Sequence, residues 1–188
     1  MKTRTRMMMA IATALALSVQ AQTSGKEEVL PPSEGSSPMG LALLPVRYCE
    51  APGPNSDVWA FRLSLLSGCN RTMTGLDVGS LGNWSKGDMS GIGLAGGYNY
   101  CGGVGRALHL ALVNYTGEDH AGGQIGLVNT TWRILGLQVG LVNATGEGGG
   151  IQLGVYNMAE DFSGLQLGLV NMNLASPMRM MPILNVWF

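Results

Sequence analysis

Five asparagines stand fourteen residues apart: GQIGLVN ends at Asn129, GLQVGLVN at Asn143, GIQLGVYN at Asn157, GLQLGLVN at Asn171 and PILN at Asn185. Looser copies lie upstream, RALHLALVN ending at Asn114, GIGLAGGYN at Asn99 and GLDVGSLGN at Asn83, where the spacing relaxes to 15 and 16. The two earliest copies carry an extra residue, as a β-bulge would. Self-similarity on this scale means that one small structural unit is built again and again, each copy packed on the last.

Within a unit the alternation has period two, the signature of a strand. In GLQLGLVN, Leu165, Leu167 and Leu169 point one way, whereas Gly164, Gln166, Gly168 and Val170 point the other. A helix is excluded by this period and by the paired glycines, each costing about 1 kcal/mol in a helix against Ala. Six-residue links such as ATGEGG (144–149) and MAEDFS (158–163) suit turns. The closing residues Asn114, Asn129, Asn143, Asn157, Asn171 and Asn185 are expected to form turns, since Asn tolerates left-handed backbone. SDVWAFRLSLLSG also alternates, LALLPVRYC does so weakly, and MPILNVWF supplies a last strand. About ten strands are predicted.

Before the repeats comes an address. Lys2, Arg4 and Arg6 precede an apolar stretch from Met7 to Val19, and Val19-Gln20-Ala21 offers a small-residue cleavage site. Residues 1–21 read as a secretory signal of bacterial type, too short in its apolar part to span a bilayer. Residues 22–39 read as a polar, Pro- and Ser-containing flexible linker, and 40–188 as the repeat-built β domain. The full chain holds 11 Lys and Arg against 12 Asp and Glu; without its signal it keeps eight cations, a net charge of −4. That balance excludes a nucleic-acid partner of the basic kind. Cys49, Cys69 and Cys101 would enter an oxidising compartment, where one disulfide is possible and its pairing open.

Two architectures use such a unit. An antiparallel up-and-down β-barrel of about ten short strands, of outer-membrane type, would turn the leucines to lipid and enclose glycine and glutamine. A single-stack β-solenoid of 14-residue repeats would place leucine in a dry core and stack Gln and Asn on identical neighbours. Four features favour the barrel. A spanning strand of about 9–11 residues leaves room for a turn; G-x-Q-x-G reads alike in both directions; aromatics cluster at strand ends; and the chain stops at Phe188 after alternating apolar residues. The partners expected of it are outer-membrane lipid and, through Phe188, the barrel-assembly machinery. Asp77, His109, Gln124, Gln138, Gln152 and Gln166 fall in register and form the expected interior polar belt, each amide bonding its neighbours.

GLQVGLVN, GIQLGVYN, GLQLGLVN and PILNVWF resemble the bacterial surface-repeat family with tandem G-x-Q-x-G-x-x-N units behind a signal peptide. GLDVGSLGN and GIGLAGGYN look like its degenerate first repeats. The likeness spans residues 56 to 188, and Asp77 and His109 replace Gln in their copies. It implies an exported, envelope-associated protein and no established activity.

Chemistry is sparse. Gly91 to Gly96 matches G-x-G-x-x-G, but no helix follows to hold a phosphate. His109 and His120 lack a metal-ligand set, and the Met178, Met180, Met181 cluster reads as apolar packing. No catalytic, cofactor-binding or metal residue is assigned. The expected function is that of a non-catalytic outer-membrane or cell-surface barrel, with a structural, surface-interaction or narrow-pore role. The alternative is a secreted solenoid acting as a binding or adhesion module through an exposed Gln/Asn face. A lipid- or sugar-modifying barrel enzyme using His109 and Asp77 stands third.

Overall fold

Fourteen residues suffice for two short strands and two corners, and the chain divides its repeat in that way. A computed structural model describes residues 30–43 and 50–188. The signal segment 1–21, the beginning of the linker and Cys49 lie outside the described residues. β1 (Ser36–Ala42) starts within the last residues of the linker stretch, followed by β2 (Glu50–Ala51), β3 (Asp57–Ser64), β4 (Ser67–Asn70), β5 (Thr72–Gly79) and β6 (Gly82–Ser85). Next come β7 (Met89–Ala95), β8 (Tyr98–Cys101), β9 (Gly105–Leu110) and β10 (Val113–Ile125). β11 (Val128–Asn173) runs through successive corners as one extended ribbon, and β12 (Met180–Trp187) ends the chain.

The pairing is parallel from coil to coil. β3, β5, β7, β9 and the second half of β10 lie side by side and build one broad face, called face A here. β4, β6, β8 and the first half of β10 build the narrower face B behind it. β10 then hands its register to β11, Asn114 beside Asn129 on face B and Gln124 beside Gln138 on face A. Only the ends are antiparallel: β2 on β1, and β12 folded back over the last coil of β11. The molecule is a β-solenoid.

This corrects the barrel. Period-two alternation reports which side chains share a side and is silent about strand direction, and the near-palindrome G-x-Q-x-G removed the remaining directional cue. The link arithmetic also misled, because much of each supposed turn is a second strand. A bilayer-spanning sheet must close on itself so that no edge is left in hydrocarbon. Here the sheet path ends at β2 and β4 and stops again at β12. The outer-membrane barrel, its lipid partner and its delivery to an assembly machinery through Phe188 are therefore set aside. Phe188 follows an antiparallel cap strand and is exposed.

The solenoid alternative was right in topology and inverted in section. Its leucines were expected inside and its amides outside. In the structure Gln124, Gln138, Gln152, Gln166 and the asparagines from Asn83 to Asn171 are buried, while Leu135, Leu141 and Leu169 are exposed. Among the described residues the larger buried apolar side chains gather in two small clusters, Val58–Met73–Met89–Cys101 and Ile134–Ala159–Phe162.

Glycine makes this section possible. Gly136, the first glycine of its motif, has φ +144°, and a Cβ there would overlap the carbonyl oxygen of Gly122 on the preceding coil. Gly140, the second, is closed by the Gly126 carbonyl oxygen of the preceding coil, 2.6 Å from the place a Cβ would occupy, and from face B by Asn129 Nδ2 at 2.7 Å. Both glycines thus let a coil settle on its neighbour, and the second also leaves room for the opposite amide.

Candidate functional site

Inside the solenoid, two files of amides run along the stack. On face B, Asn83 donates to Asn99, Asn99 to Asn114 and Asn114 to Asn129 at 2.8–3.0 Å. Asn129, Asn143 and Asn157 continue the chain to Asn171, each at 2.8 Å. The second N–H of most of these amides reaches a main-chain carbonyl, as Asn143 does to Leu153 O at 2.9 Å. Both donors are used, which fixes the orientation of each amide. On face A the direction reverses: Gln166 donates back to Gln152, Gln152 to Gln138 and Gln138 to Gln124, at 2.7–2.8 Å. The two ladders therefore carry opposed amide dipoles, and each hydrogen bond polarises the next in its file.

The asparagines expected in turns thus lie in the strands of face B. Asn185 is the exception, since β12 returns antiparallel and sets it beside Gln166 on face A. The six residues expected in an interior belt share one column, with Gly93 between Asp77 and His109 and Arg62 before Asp77. What the sequence did not reveal is Arg62 as the partner of Asp77. Arg62 Nε and Nη2 donate to the two carboxylate oxygens at 2.8 and 2.5 Å, both residues being buried. Burial pushes the Asp77 carboxyl upward, with Arg62 drawing it partly back.

The histidines fill the space between this ion pair and the glutamines. His109 and His120 sit with ring centroids 4.9 Å apart, and His109 Nε2 lies 3.1 Å from Met89 Sδ. His120 Nδ1 meets Thr116 Oγ1 at 3.1 Å, and its Nε2 donates to Ala107 O at the same distance. Gln124 also ends its ladder on that threonine hydroxyl, at 3.2 Å. Burial, reinforced by His120, drives the His109 pKa down to about 3; burial lowers that of His120 as well. Both rings are held neutral and sealed from substrate. Cys101 is buried too, and burial raises its thiol to about 12, far from a reactive thiolate. Among the described residues no three His, Cys, Asp or Glu side chains are grouped to hold a metal ion.

With titratable interior groups enclosed, interaction falls to the outside. Outward positions of face A form aliphatic columns: Leu76 beside Ile92 beside Leu108, interrupted at Gly123 before Leu137, and Val78 beside Leu94 beside Leu110, then Ile125 and Val139. At the C-terminal end, β12 extends both columns, pairing Leu165 with Val186 and Leu167 with Leu184. The corner that follows face A adds another file, exposed at Leu81, Leu112, Leu127 and Leu141. Charge gathers at the opposite corner, where Arg71 pairs with Asp57 and Arg133 with both Asp119 and Glu147. Face B carries an aromatic stack, Tyr100 lying between Trp84 and Tyr115 with centroids 5.1 and 5.0 Å away. Tyr100 and Tyr115 stack face on face, 7° from parallel, while Trp84 meets Tyr100 at a tilt of 56° and is itself exposed.

A contiguous apolar surface of this extent marks an interaction site rather than ordinary surface. Face A with its leucine corner is the candidate site, and no known protein family, curated protein or solved structure matches the chain.

Proposed function

We propose that this protein is an exported, non-catalytic binding module that works through face A. The observation that carries the reading is the inversion of the section: amides saturate the interior while aliphatic columns remain outside. These columns pack only partly on their own neighbours: Ile92, Leu108, Ile151 and Leu167 stay 38–42% exposed. Covering what remains exposed by another surface would gain the hydrophobic free energy of burial, about 25 cal/mol per Å² of apolar surface. The expected binding through an exposed Gln/Asn face is replaced by binding through the aliphatic one. Export is supported by the basic and then apolar segment ending at Ala21, and a place at a bacterial cell surface by the resemblance to tandem surface repeats.

The test is uptake of an apolar fluorescent dye by the chain immobilised so sparsely that copies do not meet. Ile92→Lys with Ile151→Lys changes only outward positions, so circular dichroism should persist while dye uptake falls severalfold. Equal uptake by both chains would remove face A from the function. N-terminal sequencing of secreted material beginning at Gln22 would support export, and an intact Met1 would overturn it.

A further inference from the structure

We infer that face A is the interface of a face-to-face dimer of this chain, a conclusion that rests on the binding reading above and names its partner. The first reason is pitch. The aliphatic columns repeat from Leu76 to Ile92 to Leu108 at the spacing of adjacent strands. A second copy carries the same columns at the same spacing, so its side chains can nest between them along the whole stack, as identical sheets do in dry zippers.

Extent is the second. Neighbouring strands lie about 4.8 Å apart and alternate residues about 6.8 Å apart along a strand. From β1 to β12, with the leucine corner included, the face therefore measures roughly 40 by 20 Å, close to the 800 Å² that a standard stable interface takes from each partner.

The third is the distribution of polarity. Along the margin nearer the charged corner, Thr74, Ser90 and Arg106 occupy one outward column, with the exposed Trp59 before them and the exposed Leu135 after them. The three polar residues border the aliphatic columns over that stretch as a polar rim borders an apolar interface centre, and the two apolar ones widen the patch at either end. A two-fold axis lying between the two sheets and parallel to them would lay one aliphatic centre on the other and leave both margins at the edge of the interface, the self-complementary arrangement of ordinary homodimers. Such pairing stacks two sheets face to face and needs no open strand edge.

Sedimentation velocity on the isolated chain tests this. The expected result is a species of twice the 19.8 kDa chain mass. Leu137→Lys with Ile151→Lys should weaken the dimer at least about a hundredfold, because each lysine would be buried without a partner. Met158→Lys, on the outward side of face B, should leave the dimer intact. A wild-type chain that is monomeric at its highest soluble concentration overturns the proposal, as does a dimer broken by Met158→Lys and not by the face A pair. If a monomeric chain still takes up dye when sparsely immobilised, the second copy is wrong and face A remains a binding face. If it takes up none, both readings fall. Should the double lysine chain fail to fold, the mass of the wild type and the Met158→Lys result decide the matter.

Discussion

Asn185 donates its side-chain amide to Gln166 Oε1 at 2.9 Å, closing the glutamine ladder from an antiparallel strand. The same strand ends the asparagine ladder, because Asn171 Nδ2 donates to Met181 O at 3.2 Å. β12 is thus a cap for both files of amides. Asn185→Leu would leave Gln166 Oε1 buried without its donor, at a cost of about 1–3 kcal/mol. Urea unfolding should show an unfolding free energy lowered by that amount, with the midpoint moved to lower urea in proportion. An unchanged midpoint would mean that the ladder needs no cap.

The interior should be sensitive to acid. His109 takes a proton near pH 6.5 when unfolded and only near 3 when folded, since burial and His120 oppose its charge. His120 is shifted in the same direction. The unfolded chain therefore binds more protons between these values, and stability that is full above pH 6.5 is lost as the pH falls toward 3. Unfolding midpoints taken across this window should decline, and His109→Gln should decline less steeply. Parallel curves for the two chains would show that His109 is not the cause.

Glycine positions should differ sharply in tolerance. Gly136→Ala places a methyl on the Gly122 carbonyl at φ +144° and should destabilise by more than about 1 kcal/mol. At Gly123 a Cβ would meet only the flexible end of Leu108, 2.9 Å away, and would point outward in the aliphatic column. Gly123→Ala should be nearly neutral in the same thermal unfolding measurement. Equal losses at both sites would contradict the close contact of successive coils.

The ion pair should show strong coupling. Asp77→Leu strands the Arg62 guanidinium in the interior, a change worth about 3–5 kcal/mol. Adding Arg62→Met removes the orphaned charge, so the double variant should recover much of that loss. A double variant as unstable as the sum of its singles would show that the pair acts through packing and not through charge.

Repeat length, strand character and the grouping of side chains were all legible before any fold was known. Alternation placed Asp77, His109 and the four glutamines on one side of their strands, and the structure gathers them in one interior column. The second strand of each unit was less legible. At four residues, β4, β6 and β8 are too short to show alternation, and Asn within them looks like a turn residue. Two further signals stand in the sequence: the paired glycines of GLQVGLVN, GIQLGVYN and GLQLGLVN, which suit a backbone packed on backbone, and a Leu at the corners of residues 81, 112, 127 and 141.

The amino-acid sequence by itself determined that leucine and glutamine occupy opposite sides of a repeated strand, because side chains alternate whatever the strand pairs with. Only the tertiary structure decided which side faces in. Parallel coils bring Gln onto Gln and Asn onto Asn at hydrogen-bonding distance, so that amides can fill a narrow interior with each one bonded to the next. Few branched aliphatics fit in a section that glycine has made so thin, Val58 and Ile134 among them, and most are left on the outside to find their burial elsewhere.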